Sequence, residues 1–174
     1  MGNKANMIIG LDISSTCIGL AFFENNQYQT FFHKPNKKLP EYIQIQKAIN
    51  WINKTNSLVT STAHIINIES PALAFSKFTT AKTLSKLISW NSIISFELSK
   101  SYQINHVNVN TARANLRKLA HLNSRIKKEN VPNTIELITN TTFPYIISKK
   151  GKIKPETYDM ADALAMAMMP PRQT

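Results

Sequence analysis

Short apolar runs separated by tight polar turns set the first limit on what this chain can fold into. Residues 7–11 form a compact apolar run that ends at Asp12 and reads as a buried strand. Ile13-Ser14-Ser15-Thr16 turns the chain, and residues 17–23 make a second β-like run. Glu24-Asn25-Asn26 is a polar turn, and residues 28–32 are a third strand. Two tight turns between three short strands imply an antiparallel meander.

The pattern then changes. After a basic loop over 35–40, Ile43, Ala48, Ile49 and Ile52 give a helical stripe within 41–56. Residues 64–68 are a buried strand ending at Glu69, followed by a loop through Pro71 and residues 74–78. An amphipathic helix is predicted over 80–100, with Leu84, Leu87, Ile88, Ile94 and Leu98 on its apolar side. A fifth strand covers 104–109, and the polar, basic segment 110–129 holds at least one helix. Another helix spans 132–139, residues 148–154 read as a basic flexible loop, and a last helix runs over 156–168 before Pro170-Pro171. This order predicts an α/β fold: a mixed five-stranded sheet, three antiparallel strands then two parallel ones, flanked by helices. No repeat or linker divides the chain, so 1–174 is expected to be a single domain.

Charge narrows the function. Twenty-one Lys and Arg face ten Asp and Glu, a net charge of +11. Such an excess attracts polyanions, because neutralised phosphates release condensed counterions; a merely soluble basic surface is the plainer alternative. No stretch reaches the roughly 18 apolar residues of a membrane span. The N-terminal apolar run, broken by Asp12, does not read as a secretory signal, and Asn6 stands where a myristoylation signal at Gly2 needs Ser or Thr. Cys17, the single cysteine, excludes an internal disulfide and a cysteine-built zinc site. A reducing, cytoplasmic setting is expected.

The scarce residue is the informative one. Aspartate occurs only at 12, 159 and 162, each time flanked by apolar residues. Asp12 and Glu69 end strands that, side by side in parallel, bring both acids to the same sheet edge. Asp159 and Asp162 lie three apart on the last helix and share one face. Each acid alone has a plainer job: capping a turn, sitting in a loop, or favouring a helix N-terminus. Packing the helix against the sheet edge gathers all four, and clustered carboxylates need a counter-charge. Oxygen-only ligands suit Mg²⁺ or Mn²⁺, and two ions about 3.5–4 Å apart can activate a water and stabilise the leaving oxygen of a phosphodiester.

The segments Ile9-Gly10-Leu11-Asp12-Ile13-Ser14-Ser15-Thr16-Cys17-Ile18-Gly19-Leu20-Ala21, then Ile66-Asn67-Ile68-Glu69, and Tyr158-Asp159-Met160-Ala161-Asp162-Ala163-Leu164-Ala165-Met166-Ala167 form a set. That set resembles the RuvC-type Holliday-junction resolvases of the ribonuclease H-like superfamily, and its first segment the phage and organellar branches more than the bacterial one. The resemblance implies a ribonuclease H-like fold and a structure-selective endonuclease that resolves four-way or branched DNA. It gives Asp12, Glu69, Asp159 and Asp162 the catalytic, metal-ligand roles, with two Mg²⁺ ions (or Mn²⁺ in their place) and Asp12 shared between them. It implies a homodimer through the helix near 80–100. DNA contacts are expected from Lys77, Lys82, Arg113, Arg117, Lys118, Arg125, Lys127 and Lys128, with Phe75 or Phe78 stacking on a base. Two departures stand out: Phe75 and Phe78 follow the Glu later than the family's aromatic wedge does, and Arg113 arrives near the family's proline-containing turn.

Rival readings remain open at this point. The same fold could cut RNA or an RNA/DNA hybrid. The chain could bind branched DNA without cutting it. Asp12 through Gly19 also resembles the first phosphate loop of actin-like ATPases and sugar kinases, whose second lobe this chain is too short to hold. His33, His64, His106 and His121 are scattered, Cys17 reads as core, and Ser14, Ser15 and Thr16 have no positioned histidine base.

Overall fold

In the computed structural model, which describes residues 7–59, 65–71 and 80–170, the predicted meander opens the chain. Strands β1 (Ile8–Ile13), β2 (Ile18–Glu24) and β3 (Gln27–His33) pair antiparallel in sequence order. Asn25 and Asn26 both take positive φ, 51° and 62°, between the paired Glu24 and Gln27. A two-residue hairpin matched to the strand twist demands that conformation, and asparagine tolerates it. The β1–β2 turn is knotted by Ser14, whose Oγ accepts from the Cys17 N–H at 3.0 Å and donates to the Cys17 carbonyl at 2.7 Å.

Helix α1 (Glu41–Val59) carries the chain to β4 (Ile65–Glu69), and α2 (Ala81–Ser99) carries it to β5 (Gln103–Val107). β4 lies parallel to both β1 and β5, giving the order β3-β2-β1-β4-β5. Thr80 caps α2, its side chain accepting from the Thr83 N–H. The remaining helices are α3 (Val109–Leu119), α4 (Val131–Thr139) and α5 (Pro155–Ala167), with a 3-10 turn at Lys128–Asn130. The architecture is α/β, a mixed five-stranded sheet flanked by helices.

Alternation of side chains divides the sheet into two faces. On one, Ile9, Leu11, Ile18, Leu20, Ile66 and Ile68 pack against Ile45, Ala48 and Ile52 of α1 and Trp90, Ile94 and Leu98 of α2. On the other lies α5, with α3 and α4 outside it, around Ala163, Leu164, Ala112, Leu116 and Ile135. The approach of α5 is set by missing side chains. A Cβ on Gly10 would sit 1.9 Å from the Ala163 carbonyl oxygen, and one on Gly19 would sit 2.2 Å from that of Asp159. Both positions therefore require glycine, which lets helix backbone rest directly on strand backbone.

Three expectations change. Val109 opens α3 rather than closing β5, because the Asn108 side chain accepts from the Asn110 N–H at 2.8 Å and starts a helix there. Residues 148–154, read as a flexible loop, are closed by hydrogen bonds: Ser148 N–H to the Lys152 carbonyl and Lys154 N–H to the Ile146 carbonyl, both at 2.8 Å. Gly151, at φ +74°, supplies the reversal. The last helix packs on the face of the sheet, not at its edge, because Gly10 and Gly19 leave room for it. Phe75, Lys77, Phe78 and His64 lie outside the described residues. Among the described residues no helix is long and apolar enough to cross a membrane.

Candidate active site

Asp12 stands two residues along β1 from Gly10 and so faces α5. The parallel register pairs Leu11 with Ile68, which makes Asp12 and Glu69 the next residues at the carboxyl ends of neighbouring strands. On α5, Asp159 and Asp162 are one turn apart, and the Gly19 contact presses the Asp159 backbone onto β2, opposite Asp12 in the register. All four acids line one open cleft of about 500 Å³, together with Arg113, Lys128, Asn91 and Pro71.

Burial makes this arrangement costly without counter-charge. Asp12 is 8 % exposed and Asp162 1 %. Desolvation, with Glu69 close by, raises the Asp12 pKa well above its ordinary value; Lys128 opposes the rise. Glu69 is raised as well, chiefly by desolvation, although a hydrogen bond with Asp12 works the other way. Two carboxylates that share so little water favour holding a proton or a cation between them.

Two basic side chains answer the other pair. Arg113 forks onto Asp162, with Nε 3.1 Å from Oδ1 and Nη2 2.9 and 2.8 Å from Oδ1 and Oδ2. Such bidentate pairing is among the stronger protein hydrogen bonds. Lys128 donates to Asp159 Oδ1 at 2.9 Å and lies 3.4 Å from Asp162 Oδ2. Burial disfavours the Lys128 ammonium, yet Asp12, Asp159 and Asp162 outweigh it and hold its pKa well above the usual lysine value. As the side chains stand, no three Asp, Glu, His or Cys groups among the described residues form an ion cage. The donor set nonetheless fits a hard divalent cation: oxygen-only, partly desolvated, and carrying two carboxylates that repel.

The predicted DNA contacts divide. Arg113 and Lys128 are engaged with the acids. Arg113 also lines a second, smaller pocket with Arg117 and Arg125. Lys82, Lys118 and Lys127 are exposed and line neither.

Two residues that support the site escaped the sequence reading. Asn91, buried on α2, donates to the Glu69 carbonyl at 2.7 Å and fixes the end of β4. Asn67, in the middle of β4, donates to the carbonyls of Met166 and Met169 at 2.9 and 3.3 Å and holds the far end of α5. The available signal was a lone asparagine inside an apolar strand or on an apolar helix stripe. Cys17 is buried, which pushes its thiol pKa up and away from nucleophilic use.

No family model matches the sequence, and no curated protein matches it. The backbone, by contrast, has clear counterparts among solved structures. Thermus thermophilus RuvC in complex with a Holliday junction substrate superposes with a TM-score of 0.60 at 13% identity, over 93% of this chain and 90% of that one. A second Thermus thermophilus RuvC structure gives 0.59 at 14% identity, over 92% and 90%. The yeast mitochondrial Holliday junction resolvase Ydc2 gives 0.57 at 13% identity, over 94% of this chain and 76% of that one. The strand order, the helix laid on glycines and these superpositions together show that the chain has the ribonuclease H-like fold of the RuvC-type Holliday-junction resolvases.

Proposed function

We propose that this protein is a divalent-metal-dependent endonuclease that cuts four-way or otherwise branched DNA. The observation that carries the reading is the single cleft into which β1, β4 and α5 deliver Asp12, Glu69, Asp159 and Asp162. The net charge of +11 supports a polyanionic substrate, and the structural likeness to a RuvC that was solved with a Holliday junction supports a branched one.

In this reading Asp12, Glu69, Asp159 and Asp162 would hold Mg²⁺ or Mn²⁺, two ions to a site. Divalent cations bound there supply Lewis-acid charge to the phosphodiester and to the attacking water. The chain's own groups do the rest. Asp12 and Glu69 would hold a cation as carboxylates, its charge relieving the cost of burying them side by side. Asn91 keeps the Glu69 backbone from drifting. Arg113 fixes the rotamer of Asp162, and Lys128 must leave Asp159 to clear the cleft. Once released, the Lys128 ammonium is free to meet a phosphate oxygen, so occupation of the cleft and engagement of the DNA favour each other.

Two copies acting together would set paired nicks on a junction. The exposed Ile93 and Phe96 on α2 support a homodimer through that helix. The test is cleavage of a labelled four-way DNA junction, with linear duplex and RNA/DNA hybrid controls, in Mg²⁺, Mn²⁺ or EDTA. Paired symmetric nicks on the junction, lost in EDTA and in Asp12→Asn, are expected. Cutting of the hybrid alone moves the substrate to RNA, and tight junction binding with no product turns the protein into a binding module.

A further inference from the structure

Beside the acid cleft, and sharing Arg113 with it, lies a pocket of about 190 Å³ lined by Asn110, Arg113, Ala114, Arg117, Arg125 and Ile126. Arg113 and Arg117 are four apart on α3 and so share a face. Arg125 arrives from the segment after α3, where its Nη2 donates to Asn110 Oδ1 at 2.8 Å and Ile126 beside it is buried. Among the described residues Arg113 has a carboxylate partner, Asp162, whereas neither Arg117 nor Arg125 forms an ion pair. Three guanidiniums therefore converge on one small concavity with a single carboxylate between them, and like charges so arranged attract an anion.

The shape and the donors specify which anion. The pocket is smaller than the roughly 300–1,000 Å³ that encloses drug-sized ligands, and so suits a single phosphate group. Arg113 uses Nε and Nη2 on Asp162, and its Nη1 takes no part in that fork. A guanidinium has five N–H donors, so two remain for a second anion. Planar donor forks match the oxygens of phosphate as they match those of carboxylate.

We propose that the Arg113–Arg117–Arg125 pocket is a subsite for one backbone phosphate of the bound nucleic-acid strand, an assignment that rests on the nuclease reading above. The subsite makes Arg113 a positioning residue: one edge of its guanidinium orients Asp162, the other fixes a phosphate, and the spacing between acids and strand follows.

The test uses the full chain with Arg117→Gln, Arg125→Gln and the double variant, and Lys47→Gln on the opposite sheet face as control. Inorganic phosphate is titrated against the arginine side-chain N–H resonances, and affinity for a four-way DNA junction in EDTA is measured across a salt series. Wild type is expected to show saturable phosphate shifts that both single variants lose. Each single variant should weaken junction binding about tenfold or more, as loss of a charged hydrogen bond does. The double variant should lower the slope of log affinity against log salt by about 0.9, the value for one phosphate. A loss of about 1.8 would mean two independent contacts and overturn the shared subsite. Phosphate binding lost with the salt slope unchanged would overturn the backbone assignment. A wild type that binds and cuts junctions while its variants do likewise overturns the subsite alone; a wild type that binds no nucleic acid overturns the nuclease reading instead.

Discussion

The two basins that meet at Arg113 handle charge in opposite ways. In the acid cleft, four carboxylates are partly answered from within the chain: Arg113 covers Asp162 and Lys128 bridges Asp159 and Asp162. In the neighbouring pocket, Arg117 and Arg125 have no carboxylate among the described residues. One basin is closed on itself, its lysine seated between Asp159 and Asp162. The other is open to an anion from outside. The difference teaches that the charge balance of a site is local: a chain with a +11 surplus still builds one basin in which acids outnumber bases.

The largest expected effect breaks the acid side. Asp12→Asn or Asp162→Asn should cut single-turnover cleavage of a junction by about 10²–10³-fold, the scale on which electrostatic stabilisation at a reacting centre acts. Junction binding in EDTA should survive Asp12→Asn, since the pocket arginines are untouched. An active Asp12→Asn protein would sink the assignment of the cleft.

Removing the shared wall comes next. Arg113→Ala leaves Asp162, whose side chain is 2 % exposed, without its fork. Breaking such a buried pair costs about 3–5 kcal/mol. At about 2–4 °C per kcal/mol for a chain this long, thermal unfolding should drop by roughly 6–20 °C. Replacing both partners, Arg113→Met with Asp162→Leu, should recover most of that loss; if it does not, the fork is not what holds this region.

Gly10→Ala separates the basins. Its added methyl meets the Ala163 backbone, which cannot swing aside as a side chain would. Overpacking of about 1–3 kcal/mol is expected. The displaced α5 should weaken Mn²⁺ binding, followed by electron paramagnetic resonance, while phosphate binding at Arg117 and Arg125 stays intact. Equal loss of both would show that the basins are not separable.

The smallest effect concerns proton binding by the metal-free protein. Asp12 and Glu69 have folded-state pKa values above their unfolded ones. The native state therefore binds more protons in that interval, and stability declines as pH rises from the ordinary carboxylate range through the raised values. Asp12→Asn should reduce that decline to the part carried by Glu69 and raise thermal unfolding at neutral pH by about 2–4 °C, the equivalent of about 1 kcal/mol. Unchanged or lowered stability would mean that the two acids do not strain the cleft.

Much of this molecule was legible in its residues. Turn signals at Glu24-Asn25-Asn26 and the period changes at 41 and 80 located the meander and both crossover helices, because turns and periodicity are local properties. The start of α3 was missed by a residue or two, since the Asn108 cap competes with a strand that could otherwise have continued. Closure of 148–154 was missed because its hydrogen bonds join backbone groups that no side-chain pattern announces.

For the site, sequence alone determined which acids could meet: one at the end of each of two strands, and two on one helical turn. It also showed a surplus of base around them. Tertiary structure decided who answers whom. Arg113 reaches Asp162 across 49 residues, and Asn67 holds the Met166 carbonyl across 99. Gly10 and Gly19 reveal their purpose only when α5 is laid upon them. Local periodicity assigns each side chain a face, but which charge stands opposite on that face depends on how the layers dock, and docking is settled by the packing of the whole chain.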